Sequence, residues 1–385
     1  MDSSMRLLSI RGIAIRLHIT FPLILIWGAI QFGLLRGQGL SGAVFGVVVF
    51  LLLFIIVVLH ELGHSLAAQY YGVSVSEIVL LPIGGVAKLE RVPEEPAQEF
   101  VIAIAGPLVN FALAIVLAIL GLIFGQQLGL ASPGEMFDNM VSLSPSAIFR
   151  YVFVSNLFLG IFNLLPAFPM DGGRVLRALL ATQMNYARAT QMAVAIGQSL
   201  AWLLGLWGFL GGGFFLILIA VFVYLGAGQE NRLVQLRQVL GNLTVEQAYS
   251  RQSRSLHPYS TLREAVDLTL STFQADFPVC ENEQLVGLLT QTRLLEALNR
   301  QGPDVPLKEV MLTDITPVAP NEELFAVQQR LAESHLEALP VAEEGRFLGL
   351  ITNRDISELY RFVSSQPDLI PKSQTSVDHG GSYTR

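Results

Sequence analysis

Long stretches without a single charged residue dominate the first 243 residues of this chain. The charge-free runs are Leu17–Leu35, Gly37–Leu59, Phe100–Gly134, Tyr151–Met170 and Ala189–Gln229. A helix needs about 20 apolar residues to cross a bilayer, so the last run, twice that long, must fold back on itself. Gly211-Gly212-Gly213 is the natural break. The sequence therefore predicts about six transmembrane helices, over residues 18–35, 42–70, 100–125, 147–166, 187–208 and 213–229.

The charged residues are unevenly divided along the chain. Only 14% of all residues are charged, against about 25% in ordinary soluble domains. Residues 1–243 hold 12 Lys and Arg and 11 Asp and Glu, whereas residues 244–385 hold 12 and 20. The second part is therefore an acidic soluble block, which argues against nucleic acid as its partner. The single cysteine, Cys280, excludes an internal disulfide.

His60-Glu61-Leu62-Gly63-His64 follows directly on the second charge-free run, where ionisable groups are costly. In a helix, His60 and His64 lie one turn apart on one face, so both imidazoles can reach one metal ion. Glu61 lies further round the helix, where it can act on a water molecule. The alternative is a pair of buried histidines that hydrogen-bond to neighbouring carbonyls. We expect a zinc site, with the two histidines as ligands.

A catalytic zinc site usually takes three protein ligands, and Asp171 is the best candidate for the third. It is the only acid between Asp138 and Glu230. The prolines and glycines around it break the helix and turn the carboxylate back into the bundle. The alternative for Asp171 is an ordinary turn aspartate. Spans two and four end on the same side in the predicted topology, so His60, His64 and Asp171 can meet.

These motifs resemble the site-2 protease family of intramembrane zinc metalloproteases. The resemblance rests on H-E-L-G-H and on N-x-x-P-x-x-P-x-D-G-G from Asn163 to Gly173, and it covers residues 1–230. Gly84-Gly85 and Ala105-Gly106-Pro107 with Asn110 match as well. The absence of a PDZ-like insertion is typical of the smaller branch of the family, which carries a C-terminal CBS pair.

The resemblance implies one Zn²⁺ per chain, held by His60, His64 and Asp171, with Glu61 as the catalytic group that activates water. It implies that Asn163 supports the substrate or its oxyanion, although a hydrogen bond between packed helices is the alternative. The implied partner is a membrane-anchored protein, such as a membrane-tethered transcription factor or an anti-sigma factor, within the lipid bilayer.

The stretch Val73–Leu89 has β-branched residues around a Pro and Gly-Gly turn. It is either a membrane-associated hairpin, whose edge pairs with an extended substrate, or a plain connecting loop.

The soluble block contains two copies of one unit at an offset of 62 residues. Phe277-Pro-Val279 matches Leu339-Pro-Val341, and Leu289-Thr290 matches Ile351-Thr352. A repeat of strand, strand and helix at this period resembles a tandem CBS pair. The resemblance implies an adenine nucleotide (ATP, ADP or AMP), with Thr352 and Asp355 reaching ribose hydroxyls.

Arg293 stands where the first repeat would need that Asp, so at most one such nucleotide site is expected. A purely structural CBS pair that forms a homodimer is the alternative.

The arginines predict the orientation, because cytoplasmic segments collect positive charge. With the N-terminus inside, the outer side keeps only Arg36 and Arg150. We therefore expect an integral protein of the cell (plasma or inner) membrane, with the N-terminus and the CBS module in the cytoplasm.

The overall prediction is a multi-span α-helical membrane protein with a small membrane-associated β segment, followed by a cytoplasmic α/β tandem CBS module. The predicted segments are a protease domain at 1–230, a linker at 231–242, CBS repeats at 243–302 and 303–363, and a polar, disordered tail at 364–385. The predicted function is a zinc endopeptidase that cuts peptide bonds within or near membrane-spanning segments, modulated by the CBS pair. The alternatives are a CBS-regulated transporter or channel and a catalytically silent relative.

Overall fold

The computed structural model describes residues 4–82, 84–89, 93–125, 143–334 and 336–366. The chain divides into two compact units, Met1–Arg232 and Leu233–Arg385, which we call the membrane unit and the CBS unit. The boundary falls inside one long helix. From residue 367 onward, the predicted disordered tail lies outside the described residues.

The membrane unit is built on helices, most of them strongly apolar. In chain order they are α1 (Pro22–Ala29, continuing as a π-helix over Ile30–Leu35), α2 (Gly39–Tyr70), α3 (Pro96–Ile123), α4 (Pro145–Asn163), α5 (Asp171–Ala181), α6 (Tyr186–Gly211) and α7 (Phe214–Leu240). Within the described part of the chain, five of them are long and apolar enough to cross a membrane: α2, α3, α4, α6 and α7. The multi-span helical fold is therefore confirmed.

The first predicted span differs from the structure. Residues 18–35 contain the end of a strand and an apolar helical stretch of only 14 residues, Pro22–Leu35. At 1.5 Å per residue this stretch is about 21 Å long, short of the roughly 30 Å of a bilayer core. Its start is set by Pro22 in the first helical turn, where a missing N–H costs nothing.

A four-stranded sheet accompanies these helices, with β1 (Ser4–Ile10), β2 (Ile13–His18), β3 (Val75–Leu81) and β4 (Gly84–Leu89) in that order. Of the two alternatives for Val73–Leu89, a hairpin or a plain connecting loop, the structure has the hairpin, as the antiparallel pair β3 and β4. The sequence analysis missed β1 and β2, which join it through a parallel pairing of β2 with β3. Apolar residues of β2 and β3 pack with residues of α2 in one buried cluster. Strand β4 forms one edge of the sheet.

Local signals explain where several helices begin and end. Ser144 caps α4 by accepting a hydrogen bond from the amide of Ala147, and Asn185 caps α6 in the same way. Helix α6 ends at Gly211, and the next residue, Gly212, has a φ of 70°, which suits a residue without a side chain. The break predicted within the last charge-free run is therefore confirmed. Helix α7 continues to Leu240, so most of the predicted linker 231–242 is helical.

The CBS unit repeats one set of elements. The first copy has α8 (Leu262–Thr272), β5 (Phe277–Glu281), β6 (Gln284–Leu289) and α9 (Gln291–Gln301). The second has α10 (Leu324–Ser334), β7 (Ala338–Glu343), β8 (Arg346–Thr352) and α11 (Asn353–Ser365). The strands form one sheet in the order β5-β6-β8-β7. The predicted repeat of strand, strand and helix is confirmed.

The offset of 62 residues is kept in the structural detail. Short 3₁₀ turns occur at Val245–Gln247 and Leu307–Glu309, and both repeats add an isolated parallel bridge to their first strand, Leu256 to Val279 and Val318 to Val341. Two buried apolar clusters repeat as well: one joins residues 240–245 to residues 318–356, and the other joins residues 262–297 to residues 307–310. The two copies therefore share one internal architecture.

Candidate metal centre

Helix α2 carries both histidines into the interior of the membrane unit. His60 is 4% exposed and His64 is 7% exposed. Because they are four residues apart, their rings lie on one face of the helix, with centroids 4.8 Å apart. The predicted pairing of these two side chains is therefore observed in the structure.

Asp171 reaches the same point from a different part of the chain. It is the first residue of α5, directly after the proline-containing segment that ends α4. A side chain on Gly172 would run into the backbone of Leu164 and Leu165, and one on Gly173 would lie 2.6 Å from the amide nitrogen of Phe168. The two glycines therefore let α5 begin directly against the preceding turn. This close approach fixes where the carboxylate of Asp171 points.

The three side chains converge on one point. The Nε2 atoms of His60 and His64 are 3.1 Å apart, and each lies 3.1 Å from Oδ2 of Asp171. Tetrahedral zinc with bonds of about 2.0 Å separates its ligand atoms by about 3.3 Å, so the triangle fits a zinc ion closely. Among the described residues, the group of His, Cys, Asp or Glu side chains that could hold a metal ion consists of His60, His64 and Asp171. Two imidazoles and one carboxylate leave a fourth position for water or substrate.

The other ring nitrogen of each histidine has an oxygen acceptor. Nδ1 of His60 lies 2.5 Å from Oδ1 of Asn110, and Nδ1 of His64 lies 2.7 Å from the carbonyl oxygen of Ile102. Each contact needs a proton on Nδ1, which leaves the lone pair of Nε2 available for a metal. Both histidines are therefore held in the form that a zinc site requires.

Helix α3 supports both histidines through its Ala105–Asn110 segment. A Cβ atom on Gly106 would fall on the imidazole of His64, so only glycine leaves room for this ring. Asn110, about one turn later, makes the contact to His60. The sequence analysis noted both residues as matches to a motif without assigning them a contact. Gly106 and Asn110 contact the histidines only because α2 and α3 pack together.

A second buried asparagine was missed by the sequence analysis. Asn156, on α4, accepts a hydrogen bond from Nδ2 of Asn110 at 2.8 Å and donates one to the main-chain oxygen of Asn110, also at 2.8 Å. Both asparagines are fully buried. An asparagine in an apolar span was the available signal, because a buried amide needs partners.

Glu61 lies beside the histidines and against strand β4. A Cβ atom built on Gly85 would lie 2.7 Å from Cγ of Glu61. The absence of a side chain on Gly85 therefore lets the edge strand approach the carboxylate. The edge strand of the hairpin therefore lies against Glu61, the residue predicted to activate water.

Asn163 is engaged within its own helix. Its Nδ2 donates to the carbonyl oxygen of Leu159 at 3.0 Å, one turn earlier in α4. This is a hydrogen bond within one helix rather than between two. The structure does not join Asn163 to the group formed by His60, His64 and Asp171.

A buried ion cluster anchors the helix that begins with Asp171. Arg177, 1% exposed, donates to the fully buried Glu99 of α3 and to Glu230 of α7. Its guanidinium lies between the rings of Phe168 and Tyr186, 4.9 and 4.8 Å from their centroids. The cluster therefore ties α5 to three other helices. The sequence analysis did not single out Arg177.

The comparisons with known proteins agree with this geometry. Residues 48–204 match the model of peptidase family M50, and residues 245–300 and 307–361 match the CBS domain. Zinc metalloprotease MJ0392 of Methanocaldococcus jannaschii is 36% identical over 371 residues, which cover 96% of this chain and 99% of the relative. The chain belongs to peptidase family M50.

Two further relatives of this M50 peptidase can be named. The site-2 protease structure from Methanocaldococcus jannaschii is 45% identical, covers 60% of this chain and 95% of its own, and aligns with a TM-score of 0.43. Stage IV sporulation protein FB of Bacillus subtilis is 30% identical over 158 residues, 41% of this chain and 49% of the relative.

Family membership decides between the open alternatives. The M50 peptidase is an integral membrane zinc metalloprotease of the site-2 protease type with a CBS pair, so the transporter or channel alternative is set aside. The predicted resemblance, fold class and enzyme class are confirmed.

In the CBS unit of the M50 peptidase, Thr352 and Asp355 contact each other. The amide and the hydroxyl of Thr352 donate to Oδ2 of Asp355 at 2.9 and 2.7 Å, and the amide of Asp355 donates back to the hydroxyl. This reciprocal arrangement caps the start of α11. In the first repeat, Arg293 instead donates to the carbonyl of Val310. Thr352 and Asp355 therefore have a structural role, because together they cap α11.

Proposed function

We propose that this M50 peptidase cuts peptide bonds within or near the membrane-spanning segments of membrane-anchored proteins. The observation that carries the proposal is the triangle of His60, His64 and Asp171, in which both histidines are buried on the apolar helix α2. Helix α2 places His60 ten residues before its end at Tyr70, about 15 Å of helix rise. A substrate must therefore enter the membrane unit to reach the site. Membrane-tethered transcription factors and anti-sigma factors belong to this substrate class.

In this proposal, His60, His64 and Asp171 hold one zinc ion per chain. Zinc supplies a Lewis acid that activates water and polarises the scissile carbonyl. Glu61 accepts the proton of the attacking water on its carboxylate and delivers it to the nitrogen of the leaving amine. The apolar walls of the site exclude bulk water and strengthen these electrostatic interactions. Asn163 is the proposed support of the oxyanion, through its side-chain NH₂ group. One hydrogen of Nδ2 is donated to the carbonyl oxygen of Leu159, and the second is left for the oxyanion.

The edge of β4 is the proposed binding site for the unwound substrate. A strand added to a sheet edge lies about 4.8 Å from its neighbour. Because Gly85 approaches Glu61 so closely, a peptide paired with β4 has its backbone near the carboxylate. Gly85→Val should therefore lower cleavage while leaving the zinc content unchanged. Leu7→Val, on the opposite edge strand β1, is the control.

A reconstituted cleavage assay tests the proposal. The full-length enzyme is placed in liposomes with a membrane-anchored reporter, and the new ends are identified by mass spectrometry. We expect cuts within or next to the reporter's membrane segment, loss of cleavage with a zinc chelator, and recovery on adding zinc. Cuts confined to soluble segments far from the membrane would contradict the proposal.

We propose that the enzyme lies in the cell membrane with its N-terminus and CBS module in the cytoplasm. The test replaces Cys280 by serine and introduces single cysteines at Leu143 or Asn242. In intact cells, an impermeant thiol reagent should label Leu143→Cys and leave Asn242→Cys unlabelled until the cells are broken. The reverse pattern would overturn the orientation.

We propose that the CBS pair binds an adenine nucleotide, with Thr352 and Asp355 near the ribose. Calorimetry on residues 233–366 with ATP, ADP and AMP at millimolar concentration tests this. Asp355→Asn keeps an oxygen that can cap α11, so weaker binding would report on the ligand rather than on the cap. Asp267→Asn, on the exposed side of α8, is the control. No heat with any nucleotide would favour a structural module.

We further propose that the chain is divided into segments 1–230, 231–242, 243–302, 303–363 and 364–385.

We also propose that two copies of the chain form a homodimer through the CBS pair. Leu270 and Phe273 are 72% and 92% exposed at the end of α8, and Leu295 is 55% exposed on α9. Exposed apolar side chains on a soluble module favour a contact with a second copy. Light scattering should give twice the chain mass, and Phe273→Ser should lower it.

A further inference from the structure

The hydrogen bonds behind His60 form a chain whose direction is fixed at one end. The chain starts at the main-chain oxygen of Asn110, which can only accept. The side-chain atom of Asn156 that lies 2.8 Å from it must therefore be the NH₂ group. This leaves Oδ1 of Asn156 to face the side chain of Asn110. The orientation of the Asn156 amide thus follows from chemistry and not from a choice between two similar atoms.

The orientation of Asn110 follows in turn. Oδ1 of Asn156 accepts, so the atom of Asn110 at 2.8 Å from it is Nδ2. Oδ1 of Asn110 then points to Nδ1 of His60, at 2.5 Å. Because this oxygen can only accept, His60 carries its proton on Nδ1. The lone pair of Nε2 is then directed at His64 and Asp171.

His64 offers a comparison inside the same site. Its Nδ1 faces the main-chain oxygen of Ile102, an acceptor that needs no side chain to orient it. His60 instead depends on an amide that could face either way. A buried amide is destabilising when it is left unpaired, so the orientation of Asn110 depends on its partner. That partner, Asn156, comes from a third helix.

We propose that Asn156 is a positioning residue of the metal centre, which acts through Asn110 to hold His60 ready for zinc. The inference rests on the proposed role of His60 as a zinc ligand. It gives α4 a role in the metal centre, because this helix carries Asn156. Gly160, one turn after Asn156, is part of the same contact, because a Cβ atom there would lie 3.1 Å from Cβ of Asn110.

Zinc affinity of the full-length apoprotein tests the proposal, measured by competition with a chelator in detergent. Asn110→Leu should bind zinc about 10- to 100-fold more weakly, which is typical of losing an orienting partner. We expect about a tenfold loss for Asn156→Leu, and the same direction for Asn156→Ser, a polar substitution that is milder for folding. Thr190→Val, which removes a buried hydrogen bond to Tyr186, is the matched control and should bind zinc normally.

The double variants separate positioning from general stability. If Asn156 acts through Asn110, Asn156→Leu should cost little more in the Asn110→Leu background. In an Asn110→Asp background one carboxylate oxygen accepts from His60, and the other faces Oδ1 of Asn156, which is also an acceptor. Asn156→Leu should therefore cause no loss of zinc affinity in this background. The visible spectrum of bound Co²⁺ should change in Asn156→Leu and return to that of Asn110→Asp in the double variant.

Two results would overturn the proposal: equal losses for Asn156→Leu in all three backgrounds, or no loss for either Asn156 variant in the wild-type background. His60→Ala keeps this failure distinct from a failure of the proposed function. If His60→Ala binds zinc like the wild type, the metal centre itself is wrongly assigned. If His60→Ala loses zinc while both Asn156 variants keep it, only the positioning role is wrong.

Discussion

The membrane unit and the CBS unit bury polar side chains to very different extents. Among the described residues, nine polar or charged side chains are buried, and eight of them lie in the membrane unit. These eight are His60, His64, Ser65, Glu99, Asn110, Asn156, Arg177 and Thr190. In the CBS unit, which has the higher share of charge, Asp276 is the one polar side chain buried among the residues that the structure describes. The unit with the apolar exterior is thus the one with the polar interior.

The difference follows from what each unit has to do. In an apolar surrounding, polar groups are stabilised only by other polar groups, so they collect where chemistry needs them. Six of the eight contact each other directly in two groups, the metal centre with its asparagines and the Arg177–Glu99 pair. The CBS unit keeps its charges in water, where they are solvated. Its fold depends instead on two apolar clusters repeated at a fixed offset.

The largest effect should come from Glu61. Glu61→Gln keeps the size of the side chain but cannot take a proton, so cleavage should fall by about 10²–10⁴-fold while zinc stays bound. The liposome assay and metal analysis of the same sample measure both. Glu95→Gln, an exposed acid before α3, should leave cleavage unchanged. An active Glu61→Gln enzyme would show that another group moves the proton.

The next effect should come from the ion cluster. Arg177→Met leaves Glu99 buried without its charged partner, which typically destabilises a protein by about 3–5 kcal/mol. Adding Glu99→Leu removes the stranded charge and should restore much of the loss. Thermal unfolding in detergent compares the two single variants with the double. Additive losses would mean that the pair does not share a stabilising contact.

The smallest effect should be found at Asp276 in the CBS unit. Burial raises the pKa of this carboxyl, the nearby charge of Glu337 adds to the rise, and a hydrogen bond from the amide of Gln291 opposes it. A raised pKa means that the folded state binds the proton more tightly. The stabilisation is thus fully present below the unfolded pKa of about 3.9 and is lost as the pH rises through the folded pKa.

Asp276→Asn keeps an acceptor for Gln291 and removes the charge. The variant of residues 233–366 should therefore lose this part of the pH dependence and be slightly more stable than the wild type at pH 7. Unfolding curves at several pH values measure it. An unchanged pH dependence would place the titrating group elsewhere.

The sequence was most informative where one residue type has few uses. Two motifs, the His60–His64 motif after an apolar run and Asp171 among prolines and glycines, predicted a shared site. In the structure, the side chains of His60, His64 and Asp171 do lie together. The charge-free runs predicted the long helices, and the offset of 62 predicted the repeated module. Strands β1 and β2 were missed because Ile13–His18 pairs with β3, which is far away in the sequence.

The partners of the histidines were out of reach for a similar reason. Asn110 and Asn156 are 46 residues apart and become neighbours only when α3 packs on α4. Arg177 looks like a flanking charge in the sequence, and only the packing of α3, α5 and α7 reveals its acidic partners. Local patterns predict helices and ligand types, whereas contacts between helices depend on how their side chains fit.

Metal analysis of purified protein tests the central claim most directly. Wild type and Glu61→Gln should each retain about one zinc per chain, because Glu61 is assigned to proton transfer. His64→Ala and Asp171→Ala should retain far less, since two ligands hold zinc less tightly than three. An Asp171→Ala protein with a full complement of zinc would contradict the proposed centre and require a different third ligand.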